Sequence, residues 1–378
     1  TGSEPLLQVF DAASHLTTLV ESSLGRGNFM VHNGELRIGT TVENSAVLLK
    51  TDENFPAEFT FDTGSGGFVG DGPVVFSTPE GVAPTTVNLI GQEPTASIRV
   101  GALTNESSQP LTLSDIESPL TIHSMVENVS VILNDFGTTN RFTKLGRIAD
   151  GVVTGLTTSP INVSTNSGTL NFRGSDQVDY FLTVDESTMP VWLQLGNGSD
   201  QVIVENAVAF SQVNLGAGNN HVHVLSSQQS LAVVGGAGND RLVIDESQSS
   251  TPIVDGTIER WSPGSSDEFV WVKWGGAFDP QGPPTQLLPD RIFQLYLVDD
   301  LEVRSGLGDD VWNVKSFADP IQADFRMTLD GGGGEDLFFI DPTTQIISSI
   351  TGGADDDTVQ LDIAGLPAAG HYDDLFLN

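Results

Sequence analysis

The residues best placed to do chemistry are aspartates that follow glycine-rich turns. Val233 to Ile244 reads VVGGAGNDRLVI, with Gly235, Gly236, Gly238, Asp240 and Leu242 in fixed positions. These fill the five defined places of the repeat G-G-x-G-x-D-x-U-x, where U is a large apolar residue. Looser copies put Asp176, Asp200, Asn220, Asp310, Asp336 and Asp357 at the aspartate position. Successive turns lie 20 to 26 residues apart, except across the gap from Asp240 to Asp310. Calcium takes six to eight oxygens from carboxylates, amides and backbone carbonyls, at about 2.3–2.6 Å. Stacked turns of this kind supply a column of such oxygens, and adjacent carboxylates repel unless a cation sits between them. The expected metal-ligating set is Asp176, Asp200, Asn220, Asp240, Asp310, Asp336 and Asp357, with Gly236, Gly238 and Asn239 from the full-match turn. Gly, Asn and Asp are also ordinary turn formers, so recurrence in register carries this expectation rather than any one turn.

The elements that must hold these turns are short strands. After each aspartate the residues alternate, as in Leu242-Val243-Ile244 and Val202-Ile203-Val204, and alternation sends one set of side chains to one face. A period near 20 means that each repeat is a unit unable to bury its apolar face alone. The expected fold is therefore all-β, a parallel β-helix with about 20–26 residues per turn. Residues 111–378 read as solenoid, and residues 1–110 as either degenerate solenoid turns or a β-sandwich. The gap after Asp240 holds Trp261, Trp271 and Trp274 with several prolines; it reads as a lateral loop or hairpin inserted at about 247–290. The final AAGHYDDLFLN resembles another turn, with Gly370, Asp373 and Asp374. No polar cap follows it, which suggests end-to-end self-association or a longer parent chain, since open solenoid ends expose core and strand edges.

On Gly235, Gly236, Gly238, Asp240 and Leu242, and partially across 170–244 and 303–361, the chain resembles the RTX family of calcium-binding β-solenoid repeats. RTX arrays repeat every nine residues and carry a calcium turn on both edges. The longer spacing here leaves at most one edge to carry the motif. Asn220 stands for Asp, Asp355 replaces the fourth-position glycine, and the Asp176 turn is shortened. The spacing is closer to that of large surface and adhesion proteins, which similarly set such turns between longer strands. The resemblance implies an extracellular, calcium-rigidified, non-enzymatic protein.

Composition narrows the partners. The 378 residues hold 15 Lys+Arg against 50 Asp+Glu, a formal net charge of −35, and no cysteine. Such a surface repels nucleic acid and anionic membranes, and no apolar run is long enough to span a bilayer. Without cysteine there is no disulfide and no thiolate metal site. Sequons occur at Asn105, Asn128, Asn162 and Asn197, which are candidate glycosylation sites. His221 and His223 alternate on one strand, where a Zn²⁺ or Cu²⁺ site would need a further ligand. Nucleotide-binding and nucleophile motifs are absent. The functional expectation is a calcium-stabilised segment of a surface layer, adhesin stalk or filament. The alternative is a carbohydrate-binding or polysaccharide-degrading β-helix protein using cell-surface glycans, with tryptophans as the sugar platform. A third source of the acidity is adaptation to high salt, with no specific metal.

Overall fold

The computed structural model describes residues 84–361, except 91–95, 102–111, 137, 139–141, 186, 188, 207–210, 226–229, 262–268, 276–290, 316–324 and 342–346. Before residue 84 it describes the backbone of seven strands only. The turn-like C-terminus from residue 362 onward and Asn105 lie outside the described residues. Among the described residues one 3-10 turn, Leu113–Asp115, is the one helical element, closed by a Thr112 capping box. Every other element is a strand, as runs of alternating Val, Ile, Thr and Phe bounded by Gly and Asn favour. The chain forms two compact units, residues 1–196 and 197–378.

In the first unit the chain alternates between two open sheets, one strand in each per coil. Glu35–Gly39, Glu58–Asp62, Thr85–Ile90, Leu120–Ser124 and Ile161–Thr165 stack in parallel in one sheet. Ala96–Gly101, Val129–Asn134, Gly168–Arg173 and Val191–Gln194 stack in parallel in the other. Coils are thus already present before residue 110. One antiparallel excursion interrupts the first sheet. Phe142–Ala149 pairs with Val152–Thr154, which pairs with Ile161–Thr165. Phe142–Ala149 then resumes parallel pairing with Val178–Asp185.

The second unit repeats the plan at a tighter period. Gln201–Glu205, His221–Leu225, Arg241–Asp245, Asp300–Arg304, Arg326–Asp330 and Ile347–Thr351 form its first sheet, all parallel. Ser211–Asn214 and Leu231–Val234 open its second sheet; Val311–Val314, Leu337–Ile340 and Thr358–Leu361 close it. In-register pairing turns the sequence alternation into columns of like side chains. Val202, Val222, Leu242, Leu301 and Met327 stand one above another, each no more than 2% exposed. Strands repeat every ~4.8 Å along such a stack. Burying one such aliphatic side chain is worth about 1.5–3 kcal/mol, so each coil is held mainly by its neighbours.

The tryptophan-bearing segment is a hairpin, but it is not lateral. Gly256–Trp261, Phe269–Trp274 and Arg291–Tyr296 form an antiparallel meander inside the second sheet. Its flanks pair in parallel with Leu231–Val234 on one side and Val311–Val314 on the other. The reason is the inward set Val270, Val272 and Trp274, all buried. A hairpin with one apolar face gains most by staying in the stack. Trp274 packs edge-on against Trp312 and stacks on Phe293, so with 5% exposure it is not a sugar platform. Trp271 lies against Phe269 with the Lys273 ammonium over its ring.

Leu242→Ala should lower unfolding free energy by about 2–5 kcal/mol, the usual cost of a large-to-small core change. His221→Ala, on the outward face of the neighbouring strand, should cost far less. Urea denaturation of both variants checks the assignment of the inward face.

Candidate metal centre: two columns of acidic turns

Within the second unit the turns ending at Asn220 and Asp240 carry the chain from the second sheet to the first, and Asp200 opens the first strand of the same column. Their side chains point inward: Asp200 and Asp240 are fully buried and Asn220 is 2% exposed. Each column member meets the backbone of the coil beside it. The Asp200 N–H donates to Asn220 Oδ1 at 2.8 Å, and the Asn220 N–H donates to Asp240 Oδ1 at 3.3 Å, both across 20 residues. The Asn220 amide also donates to Asp240 Oδ1 at 2.8 Å. The other oxygen of Asp240 closes its own turn, accepting the Gly236 N–H at 2.6 Å. Asp299 extends this column, its Oδ2 accepting the Asp240 N–H at 2.7 Å. Asp299 is missed by the glycine motif, because Leu297 takes the left-handed conformation there with φ of 51°. The available signal is an aspartate just before the alternating run Asp300–Arg304.

Asp310, Asp336 and Asp357 make a second column, on the connections from the first sheet to the second. The motif therefore occupies both edges of this unit, not one as the spacing suggests. The switch falls after the meander: Asp299 still lies on the connection from the second sheet to the first, and Asp310 lies on the next connection back. The same ladder recurs. The N–H groups of Ile253, Asp310 and Asp336 donate to Oδ1 of Asp310, Asp336 and Asp357 at 2.6, 2.8 and 3.0 Å. Gly306 N–H closes the Asp310 turn at 3.1 Å.

The two columns differ electrostatically. In the first, Asn220 lies between two carboxylates, accepting from one coil and donating to the next. An amide has both capacities and no charge, so it relieves the repulsion. The second has no amide. Asp336 is 2% exposed, and its Oδ2 has no hydrogen-bond partner. Burial, with Asp310 and Asp357 adding like charge, pushes its carboxyl up to about 7. Burial also raises Asp240 and Asp310 above the ordinary carboxylate range, against the hydrogen bonds that each accepts.

The glycines let successive turns touch. A Cβ on Gly236 would fall 1.6 Å from the Gly216 carbonyl oxygen. Gly238, with φ of 131°, would set its Cβ 2.0 Å from the Gly218 oxygen. Asp355, at the glycine position of the last turn, adopts φ of 83°. The Asn239 N–H donates to Asn219 Oδ1 at 3.1 Å and its carbonyl accepts the Asn220 N–H at 3.1 Å. Its side chain is exposed.

Other candidates stand apart. Asp176 belongs to the first unit and is exposed, so it does not take the inward position of Asp240. His221 and His223 share the outward face with ring centroids 6.2 Å apart. His223 Nε2 sits 3.1 Å from Asp245, and burial followed by the Arg241 charge lowers the His221 pKa. Arg241 and Arg304 pair with Glu302 beside them, a setting unfavourable to a cation. Asn128 and Asn197 are at turns, Asn128 exposed, while Asn162 is half-buried within Ile161–Thr165. Among the described residues no group of three or more His, Asp or Glu side chains converges to hold a metal. A calcium ion at these turns would therefore draw much of its coordination from backbone carbonyls. No protein-family model, curated protein or solved structure matches the chain.

Asp240→Ala strands the donors from Gly236 and Asn220 in a buried turn. An unsatisfied buried donor costs about 1–3 kcal/mol, so the variant should lose roughly 2–5 kcal/mol in denaturant unfolding. A second expectation concerns pH. The folded-state pKa of Asp336 is raised, to about 7 from 3.8, so the folded chain holds a proton that the unfolded chain has released across that window. Its contribution is therefore favourable at about pH 4 and is lost as pH rises through 7. In chelator, the melting temperature should fall over that range, and Asp336→Asn should flatten the slope.

Proposed function

We propose that this chain is a structural segment of an extracellular surface or adhesion protein, a β-solenoid stiffened by calcium at its acidic turns. It would serve in a surface layer, adhesin stalk or filament. The observation that carries the calcium part is Asp336: a buried carboxylate oxygen without a partner, between Asp310 and Asp357 in a column that no amide interrupts. A divalent cation there offsets the repulsion, with glycine-turn carbonyls completing its shell. Between Asp200 and Asp240 a cation is needed less, because Asn220 already separates them. The net charge of −35 favours cation uptake across the whole surface. The structural role is supported by the stacking of coil upon coil within each unit, an architecture in which each repeat is stabilised by its neighbours.

The test is calcium calorimetry on chelator-treated protein at neutral pH, with melting followed in calcium, magnesium, potassium and chelator. Calcium should bind and raise the melting temperature beyond the effect of equal ionic strength. The double variant Asp336→Asn, Asp357→Asn should lose most of that gain, whereas Asp200→Asn should keep it. Equal stabilisation by potassium and calcium, with no heat of binding, would sink the proposal in favour of a general salt effect.

A further inference from the structure

Between the two sheets of the first unit lies a charged pair that the acidic turns do not involve. Asp135 follows the strand Val129–Asn134 of one sheet, and Lys144 belongs to Phe142–Ala149 of the other. Both are buried, with side-chain exposures of 0% for Asp135 and 6% for Lys144. Lys144 Nζ lies 2.8 Å from Asp135 Oδ1 and 2.7 Å from Oδ2. The carboxyl group is held from both ends. Oδ1 accepts the Leu113 N–H and the Thr138 hydroxyl, each at 3.1 Å. Oδ2 accepts the Tyr180 hydroxyl at 2.8 Å, and the Tyr180 oxygen in turn accepts the Ser175 N–H at 2.9 Å.

We propose that Lys144 and Asp135 form an intramolecular amide, a covalent staple between the two sheets. The step begins with transfer of one proton from Nζ to Oδ2 along their hydrogen bond, which gives an amine facing a carboxylic acid with no change in total charge. The amine lone pair then attacks Cγ, forming the C–N bond and placing negative charge on Oδ1. Leu113 N–H and the Thr138 hydroxyl already point at that oxygen, as donors at a developing oxyanion should. A second proton leaves the nitrogen through the Tyr180 hydroxyl to Oδ2. The Cγ–Oδ2 bond breaks, water departs, and the Cγ–Oδ1 double bond reforms. The ammonium has given up two of its three protons, both now in the water, so atoms and charge balance with no oxidant or cofactor. Fixed proximity replaces the high concentration that amide formation needs in solution. In a chain without cysteine, the bond would take the role that disulfides fill elsewhere.

Trypsin digestion of the intact wild-type chain, read by mass spectrometry, tests the bond directly. Cleavage after Arg99, Arg141 and Arg147 frees the segments 100–141 and 142–147. With the amide in place they should travel as one branched species, lighter than their sum by one water, with no cut after Lys144. Lys144→Arg keeps the charge but cannot make the bond, and should give separate peptides. Overturning results are wild-type protein of the full sequence mass with cleavage after Lys144, or a water loss that hydroxylamine cleaves at Asp150-Gly151, the mark of a succinimide. The wild-type digest is sufficient by itself, so the outcome does not depend on whether the variant folds.

Discussion

The second unit depends on one recurring interaction: a backbone N–H at the corner of one coil donates to the side-chain oxygen at the corner of the next. Strand pairing satisfies the backbone along the flat faces, but at the corners the chain turns and its donors lose their strand partners. Buried donors left alone are costly, and a short acidic side chain is the right length to reach across one coil. This fixes coil stacking at the corners as firmly as the sheets fix it along the faces. Asp240 serves two coils at once, taking the Asn220 N–H with one oxygen and the Gly236 N–H with the other.

That interaction creates the electrostatic problem it must then solve. A carboxylate in each coil stacks charge upon charge at strand spacing. The two columns show different accommodations. An amide at Asn220 breaks up one, while Asp310, Asp336 and Asp357 leave the other with charge to spare. The stacked charge at these corners is thus a consequence of how the corners are closed.

Some of this is legible in the residues alone. Glycine followed by aspartate at a 20-residue beat marks a corner where two backbones approach too closely for a Cβ, a local constraint that sequence records faithfully. Alternation after each aspartate marks the inward face, and Val222 and Leu242 lie where it puts them. The switch between edges is not legible, because it depends on which sheet each strand joins, a long-range choice. Asn220 reads as a weakened ligand when it is the amide that makes its column tolerable. Asp299 carries no motif because its turn lacks glycine. The juxtaposition of Lys144 with Asp135 has no local signature, since two sheets and Tyr180 bring those groups together.

The close approach of the glycines has an evolutionary corollary. A coil of about twenty residues is pinned sterically at a few corner positions and kept apolar at its inward ones; everything facing solvent can drift. Asp355, with φ of 83° in a glycine's place, shows that even a pinned position admits an occasional substitute. Duplicated coils under such loose control would lose their mutual likeness quickly while still stacking in register, so kinship among them would persist in shape long after it had faded from spelling.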